Sequence, residues 1–226
     1  MQHAAKDGRF ITFEGLDGCG KSTHLGRLAA TLRSQGLEVV ATREPGGTAV
    51  GERIRGVLLD SRTCGLAPLA ELALMFASRA QHISEVILPA INRGAWVLCD
   101  RYTDSSEAYQ GAGRQLGADS VLTLHRVLCL DLQPDLTLLL DNDVSDSVER
   151  ARRRNLAPGR PVDENRFEQE NRAFFDRVHR QFLAIARREP ERVVVIDARR
   201  AKDAVQQDVL SVVRRRLMAE RSSHGI

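Results

Sequence analysis

Gly15-Leu16-Asp17-Gly18-Cys19-Gly20-Lys21-Ser22 decides the reading of this chain. The stretch has the form G-x-x-x-x-G-K-[ST], the pattern of a phosphate-binding loop. Glycines let the backbone wrap closely around phosphate oxygens, so that several N–H groups point inward. The helix that follows adds its positive N-terminal end. A lysine at position 21 can reach β- and γ-phosphates, and the hydroxyl of Ser22 can ligate Mg²⁺. The ligand class is therefore a nucleoside triphosphate with Mg²⁺, held by Gly15, Leu16, Asp17, Gly18, Cys19, Gly20, Lys21 and Ser22.

The flanks supply the context that such a motif needs. Phe10 to Glu14 is β-branched and aromatic, as a strand should be. Thr23 to Gln35 has helical spacing, with Leu25, Leu28, Ala29 and Leu32 on one face, and Gly36 stops it. Further along, Glu38–Thr42, Trp96–Asp100, Leu136–Asp141 and Val193–Asp197 read as strands. Between them, helices are expected at Val50–Leu59, from Pro68 toward Ile91 with a kink at Pro89, at Ser105–Gln110 and at Ala118–Cys129. Others follow at Val144–Arg154, Glu164–Arg188 and Lys202–Glu220. The alternation predicts an α/β fold, a five-stranded parallel sheet flanked by helices on both faces, as one domain over residues 1–226. Right-handed crossovers bring the loops after Glu14, Thr42, Asp100, Asp141 and Asp197 to one edge, where ligands bind.

Bulk composition narrows the partners. A net charge of +3 over 226 residues is small for a nucleic-acid binder, so phosphate on a small molecule is expected instead. The four cysteines form no C-x-x-C pair, which predicts a reducing compartment rather than disulfides or a thiolate metal site. The polar N-terminus lacks a signal-peptide pattern, and no apolar run approaches the ~18 residues of a membrane span.

Several loops carry candidate chemistry. Asp100, closing an apolar strand, can hold Mg²⁺ directly or through water; Asp141 ends a strand of the same form and competes with it. Arg101 beside Asp100 brings a cation to a second phosphate, which favours Asp100. Arg43, at a strand end ahead of Glu44-Pro45-Gly46-Gly47-Thr48, suits bidentate phosphate recognition. Phe76 and Arg79, spaced i, i+3, can offer a planar base an aromatic face and a guanidinium. Arg150, Arg152, Arg153 and Arg154 cannot all share one helix face. With the irregular stretch behind them they read as an Arg-rich lid over about 150–168.

Taken together, Phe13-Glu14-Gly15-Leu16-Asp17-Gly18, Arg43-Glu44-Pro45-Gly46-Gly47-Thr48, Asp100-Arg101-Tyr102 and Ala108-Tyr109-Gln110-Gly111 resemble the thymidylate kinases of the bacterial type. The resemblance runs from Phe10 to about Asp197. It implies the P-loop kinase fold and the reaction dTMP + ATP → dTDP + ADP with Mg²⁺. It implies a homodimer through helices on the sheet's flank, while the composition points to the cytoplasm with no nucleic-acid or membrane partner. By that resemblance Asp17 lies near the sugar 3′-hydroxyl and the phosphates, while Arg43 and Arg101 grip the dTMP phosphate. Phe76 stacks on thymine and Arg79 reads a base carbonyl. Pro45, Ser105, Ser106 and Gln110 belong to the acceptor site, and Tyr109 packs beneath the sugar. One subtype carries a basic residue in the loop where this chain has Gly18, and the other supplies that charge from the lid. Arg154 best matches the lid arginine, with Arg152 and Arg153 as rivals. Asn165 stands where the family often has Asp. The rival readings are another nucleoside monophosphate kinase, a regulatory GTPase and a non-catalytic nucleotide-binding module. The chain has no Asn-Lys-x-Asp guanine reader, and it keeps Lys21 and the arginines.

Overall fold

The computed structural model describes residues 8–155 and 165–218. Among them, β1 (Arg9–Glu14), β2 (Val39–Arg43), β3 (Trp96–Asp100), β4 (Leu136–Asp141) and β5 (Val193–Asp197) form one sheet in the order β2-β3-β1-β4-β5. Every pairing is parallel. β1 is the central strand, and all but its first residue are buried, as expected for a strand covered on both faces. Strand order reverses at β1, so the loop after it opens at the topological switch point. The register levels the carboxyl ends: Phe13 and Arg43 both pair with Asp100, and Asp141 pairs with Asp197.

Period-two alternation divides each strand's side chains between two helical layers. On one face Ile11, Phe13, Leu98 and Leu138 meet Leu25, Leu28 and Leu32 of α1 (Lys21–Ser34) and Val205, Val209 and Val212 of α9 (Lys202–Val213). On the other, Phe10, Val97 and Cys99 meet α3 (Pro68–His82), α4 (Leu88–Asn92) and α6 (Ala118–Leu128). Leu139 and Val193 on that side lie under Phe174, Val178 and Phe182 of α8 (Arg172–Arg188). The remaining helices are α2 (Ala49–Leu59), α5 (Thr103–Ser106) and α7 (Val144–Asn155). No helix among the described residues is long and apolar enough to cross a membrane.

Four helices differ from their sequence expectation. The helix toward Ile91 passes through a π turn, Ile83–Ile87, in which the Leu88 N–H reaches the Ile83 carbonyl. Pro89 has no N–H and its ring crowds the previous turn, so widening that turn accommodates it without a sharp break. The segment expected to be helical from Ser105 to Gln110 is α5 followed by a π turn, Glu107–Gly113. The helix expected from Glu164 starts only at Arg172, because the Asn171 side chain accepts the Phe174 N–H at 2.9 Å and caps it there. Residues Phe167–Gln169 form a separate 3₁₀ turn. The closing helix runs as α9 and a π turn to Met218; its last expected residues, 219–220, and the lid segment 156–164 lie outside the described residues.

Candidate functional site

The loop between β1 and α1 sits on the carboxyl edge with its glycines in close contact. A Cβ on Gly15 (φ +129°) would lie 2.5 Å from the Leu140 carbonyl oxygen, so only glycine lets the loop rest on β4. A Cβ on Gly18 (φ +85°) would lie 2.2 Å from the Ser147 carbonyl oxygen. The backbone of α7 therefore packs directly on the loop at the position where the sequence lacks a basic side chain. Lys21 is buried and folds back across the loop, its Nζ donating to the carbonyls of Gly15 (3.1 Å) and Leu16 (2.9 Å). Asp17 Oδ1 lies 3.9 Å from that Nζ.

An open cavity follows the loop from Asp17 to His24, then Arg43, Asp100, Arg101 and Arg150, and ends at the β5–α9 turn, Ala198 to Lys202. The turn after Asp141 does not reach it; α7, two turns on, contributes Arg150 instead. Ser22 Oγ donates to Asp100 Oδ2 at 2.5 Å. Asp141 turns away and accepts from His179 Nε2 at 2.6 Å. The two strand-end acids are thus separated by geometry: Asp100 faces the loop, whereas Asp141 holds α8. Ser22 and Asp100 are hard oxygen donors side by side at the loop mouth, a donor set suited to Mg²⁺.

A second cavity opens on the other side of Asp17. Asp17, Glu44, Arg55 and Arg101 line both cavities. The second is completed by Pro45, Leu59, Met75, Arg79, Ser105, Ser106, Tyr109, Gln110, Phe167 and Glu168. Arg101, at a φ of +75° that few non-glycine residues adopt, is held on three sides. It pairs with Asp17 at 2.9 Å and donates to Ser105 Oγ at 2.8 Å and Tyr109 Oη at 3.2 Å. Its guanidinium also lies over the Tyr109 ring. Arg43, by contrast, is half-exposed and pairs with Glu52 on α2 at 3.0 Å.

Buried carboxylates organise the inner wall. Glu44 accepts from Arg79 Nε at 2.6 Å and pairs with His82 Nδ1 at 3.0 Å. The Arg79 guanidinium and the His82 bond keep Glu44 below the usual carboxylate range, although burial alone would raise it. Glu44, His82 and Cys99 bring their ligand atoms within 4.8 Å of one another, but their atoms are already engaged. His82 Nε2 bonds Thr42 Oγ1 at 2.7 Å, and the Cys99 thiol, held protonated by burial, donates to the Arg101 carbonyl. Glu14, at the end of β1, accepts from the Tyr102 and Ser105 N–H groups at 2.7 and 3.3 Å and bonds Ser105 Oγ at 2.5 Å. Burial, reinforced by Asp104, pushes its carboxyl up to about 7.

Phe76 needs a correction. Its ring is fully buried with Phe10, Leu72 and Tyr102 and does not line the cavity. Met75 lines the cavity instead. One helical residue rotates the side chain by about 100°, so the i, i+4 partner of Arg79 faces the cavity and the i, i+3 partner faces the core. Phe76 still touches the site from beneath, its ring 4.7 Å from the Arg79 guanidinium. Arg152 turns from the loop to donate to the Glu168 carbonyl at 3.0 Å. Arg154 lies in the last turn of α7, but its side chain lies outside the described residues.

Sequence reading missed Glu14, Glu44, Arg55, Met75 and Phe167. The i, i+4 spacing of Met75 and Arg79 was a usable signal. Phe167 had none, since it meets Tyr109 edge-on only after α8 has packed.

A family model described as Thymidylate kinase matches residues 13–209. A thymidylate kinase of Pelobacter propionicus is 45% identical over 206 residues, covering 91% of this chain and 94% of that one. A thymidylate kinase of Alkalilimnicola ehrlichii is 50% identical over 198 residues, covering 88% of each chain. The crystal structure of thymidylate kinase from Ehrlichia chaffeensis superposes with a TM-score of 0.72 at 32% identity, covering 91% of this chain and 98% of that one.

Proposed function

The chain belongs to the thymidylate kinase family and is a phosphotransferase acting on dTMP, and from that premise we propose how its residues divide the work. ATP occupies the open cavity with its phosphates in the Gly15–Ser22 loop, and dTMP occupies the inner one. The observation that carries this division is Arg101. It stands between the two cavities, fixed by Asp17, Ser105 and Tyr109, where a phosphoryl group would cross. The acceptor is already a phosphate oxyanion, so no protein base is required; positioning and charge neutralisation do the work.

Lys21 exchanges its backbone carbonyls for the β- and γ-phosphates. Arg101 and Arg43 orient the acceptor phosphate. Asp17 keeps Arg101 in place and lies near the sugar. Arg79, Gln110, Ser105, Ser106, Pro45 and Met75 surround the base and sugar, with Tyr109 under the ring. Ser22 and Asp100 hold Mg²⁺, which when bound neutralises phosphate charge. Residues of about 150–168 act as the lid of a single kinase domain, and the charge absent at Gly18 comes from its arginines, Arg154 first among them. Exposed Val50 and Val57 on α2 and Leu69 on the neighbouring α3 support a homodimer through these flank helices. The enzyme works in the cytoplasm.

ADP release measured across dTMP, dUMP, dCMP, AMP and GMP tests the assignment. Strong preference for dTMP is expected. Equal turnover of the purine monophosphates would remove the inner cavity from the acceptor role.

A further inference from the structure

Two polar side chains that line the inner cavity, Arg79 and Gln110, each lean on a buried carboxylate. Arg79 spends Nε on Glu44 and Nη2 on the Tyr102 carbonyl (3.1 Å) and Ser106 Oγ (3.0 Å). Its Nη1 is buried without a hydrogen-bond partner among the described residues. Gln110 donates from Nε2 to Glu71 Oε1 at 2.9 Å, and no hydrogen bond to its Oε1 occurs among the described residues. Glu71 is fully buried in the first turn of α3 and pairs with Arg114 at 3.1 Å and Arg166 at 2.7 Å.

We infer that Glu71 is a positioning residue that sets which end of the Gln110 amide faces the acceptor. The inference rests on the reading of this cavity as the acceptor site. A carboxylate between two guanidinium groups only accepts hydrogen bonds. The amide must therefore turn its NH₂ group to Glu71; the reverse orientation would press two oxygens together with no water between them. The wall then offers an acceptor, Gln110 Oε1. A pyrimidine with a carbonyl at C4 carries a proton on N3, which complements that acceptor. A C4-amino pyrimidine presents a bare N3, an acceptor itself, in the wrong sense. A glutamine without Glu71 could turn either way and serve both. Discrimination between keto and amino pyrimidines thus depends on a residue that touches neither.

The test is kcat/KM for dTMP and for dCMP at saturating ATP in the wild type, Glu71→Gln, Glu71→Asp and Gln110→Ala. Glu71→Gln can pair with the Gln110 amide in either sense. Glu71→Asp keeps the charge facing the arginines but withdraws it from the amide, and serves where Glu71→Gln fails to fold. The dTMP/dCMP ratio is expected to fall by about tenfold or more in each Glu71 variant, through gained dCMP turnover, with KM for ATP unchanged. A folded Glu71 variant that keeps the wild-type ratio overturns the inference. If Gln110→Ala also keeps it, the base-facing reading of Gln110 goes too; if only Gln110→Ala changes it, that reading stands and Glu71 is structural. In the wild type, the Gln110 side-chain amide protons are expected to exchange slowly with solvent, and fast exchange would equally overturn the inference.

Discussion

The two cavities meet at Asp17 and Arg101 yet are built on opposite plans. The open one is built on the glycine loop, a helix start and a row of cations: Lys21 resting on carbonyls, and Arg43, Arg199 and Arg200 in exposed ion pairs. The inner one is made of side chains from α2, α3, the β3–α5 turn, the following π turn and the 165–170 segment. These are locked by pairs built on fully buried carboxylates: Glu44 with Arg79, and Glu71 with Arg114 and Arg166. A site for phosphates and a metal ion has only to supply charge, and mobile cations do that well. A site that chooses one base must hold donors and acceptors still before the base arrives, and paired groups out of water do that.

The largest expected effect lies on the open side. Lys21→Ala should lower kcat by about 10³-fold in a chain that still folds, because the charge is needed as phosphate transfers. A variant with near-full activity would break the assignment of the two cavities. On the inner side, Phe76→Ala should cost about 3–5 kcal/mol in a denaturant melt, as large aromatic truncations in cores do. Met75→Ala should instead raise KM for dTMP by about tenfold at little cost in stability. An exchange of these two outcomes would return Phe76 to the cavity wall.

Glu14 gives a pH signature to the boundary between the cavities. Its folded value, about 7, stands above the ordinary 4.5. Below pH 4.5 both states are protonated and folding has its full stability. Between 4.5 and about 7 the unfolded chain releases the proton that the folded chain retains, so stability falls by about 3 kcal/mol in all. Melts of Glu14→Gln against wild type should show the variant gaining by that amount across this window, and parallel curves would deny the shift. The smallest effect is expected away from both cavities. Asp141 raises the His179 imidazole, so this pair stabilises fully below pH 6.5 and is lost as pH rises through the folded value. A double-mutant cycle with His179→Gln and Asp141→Asn should give about 1 kcal/mol or less at low pH and nothing at pH 9.

These contrasts also separate what could be read from the chain. The open cavity was legible because its parts are adjacent in sequence: glycines at fixed spacing, a strand before them and a helix after. The strand-end residues Arg43, Asp100 and Arg101 were legible because parallel strands deliver their carboxyl ends to one edge. The inner wall was legible only in pieces. Tyr109, Ser105 and Gln110 lay in one recognisable segment, but Phe76 was assigned to the wrong face and Phe167 carried no local signal.

The sequence by itself determined the parallel sheet and the phosphate loop, because hydrophobic period and glycine spacing act over a few neighbouring residues. Tertiary structure alone decided that Met75 rather than Phe76 meets the cavity and that Asp141 turns to His179 on α8. It also decided that Glu71 gathers Gln110, Arg114 and Arg166. Each of those choices compares burial and pairing among groups far apart in the chain, and such a comparison exists only once the helices have packed.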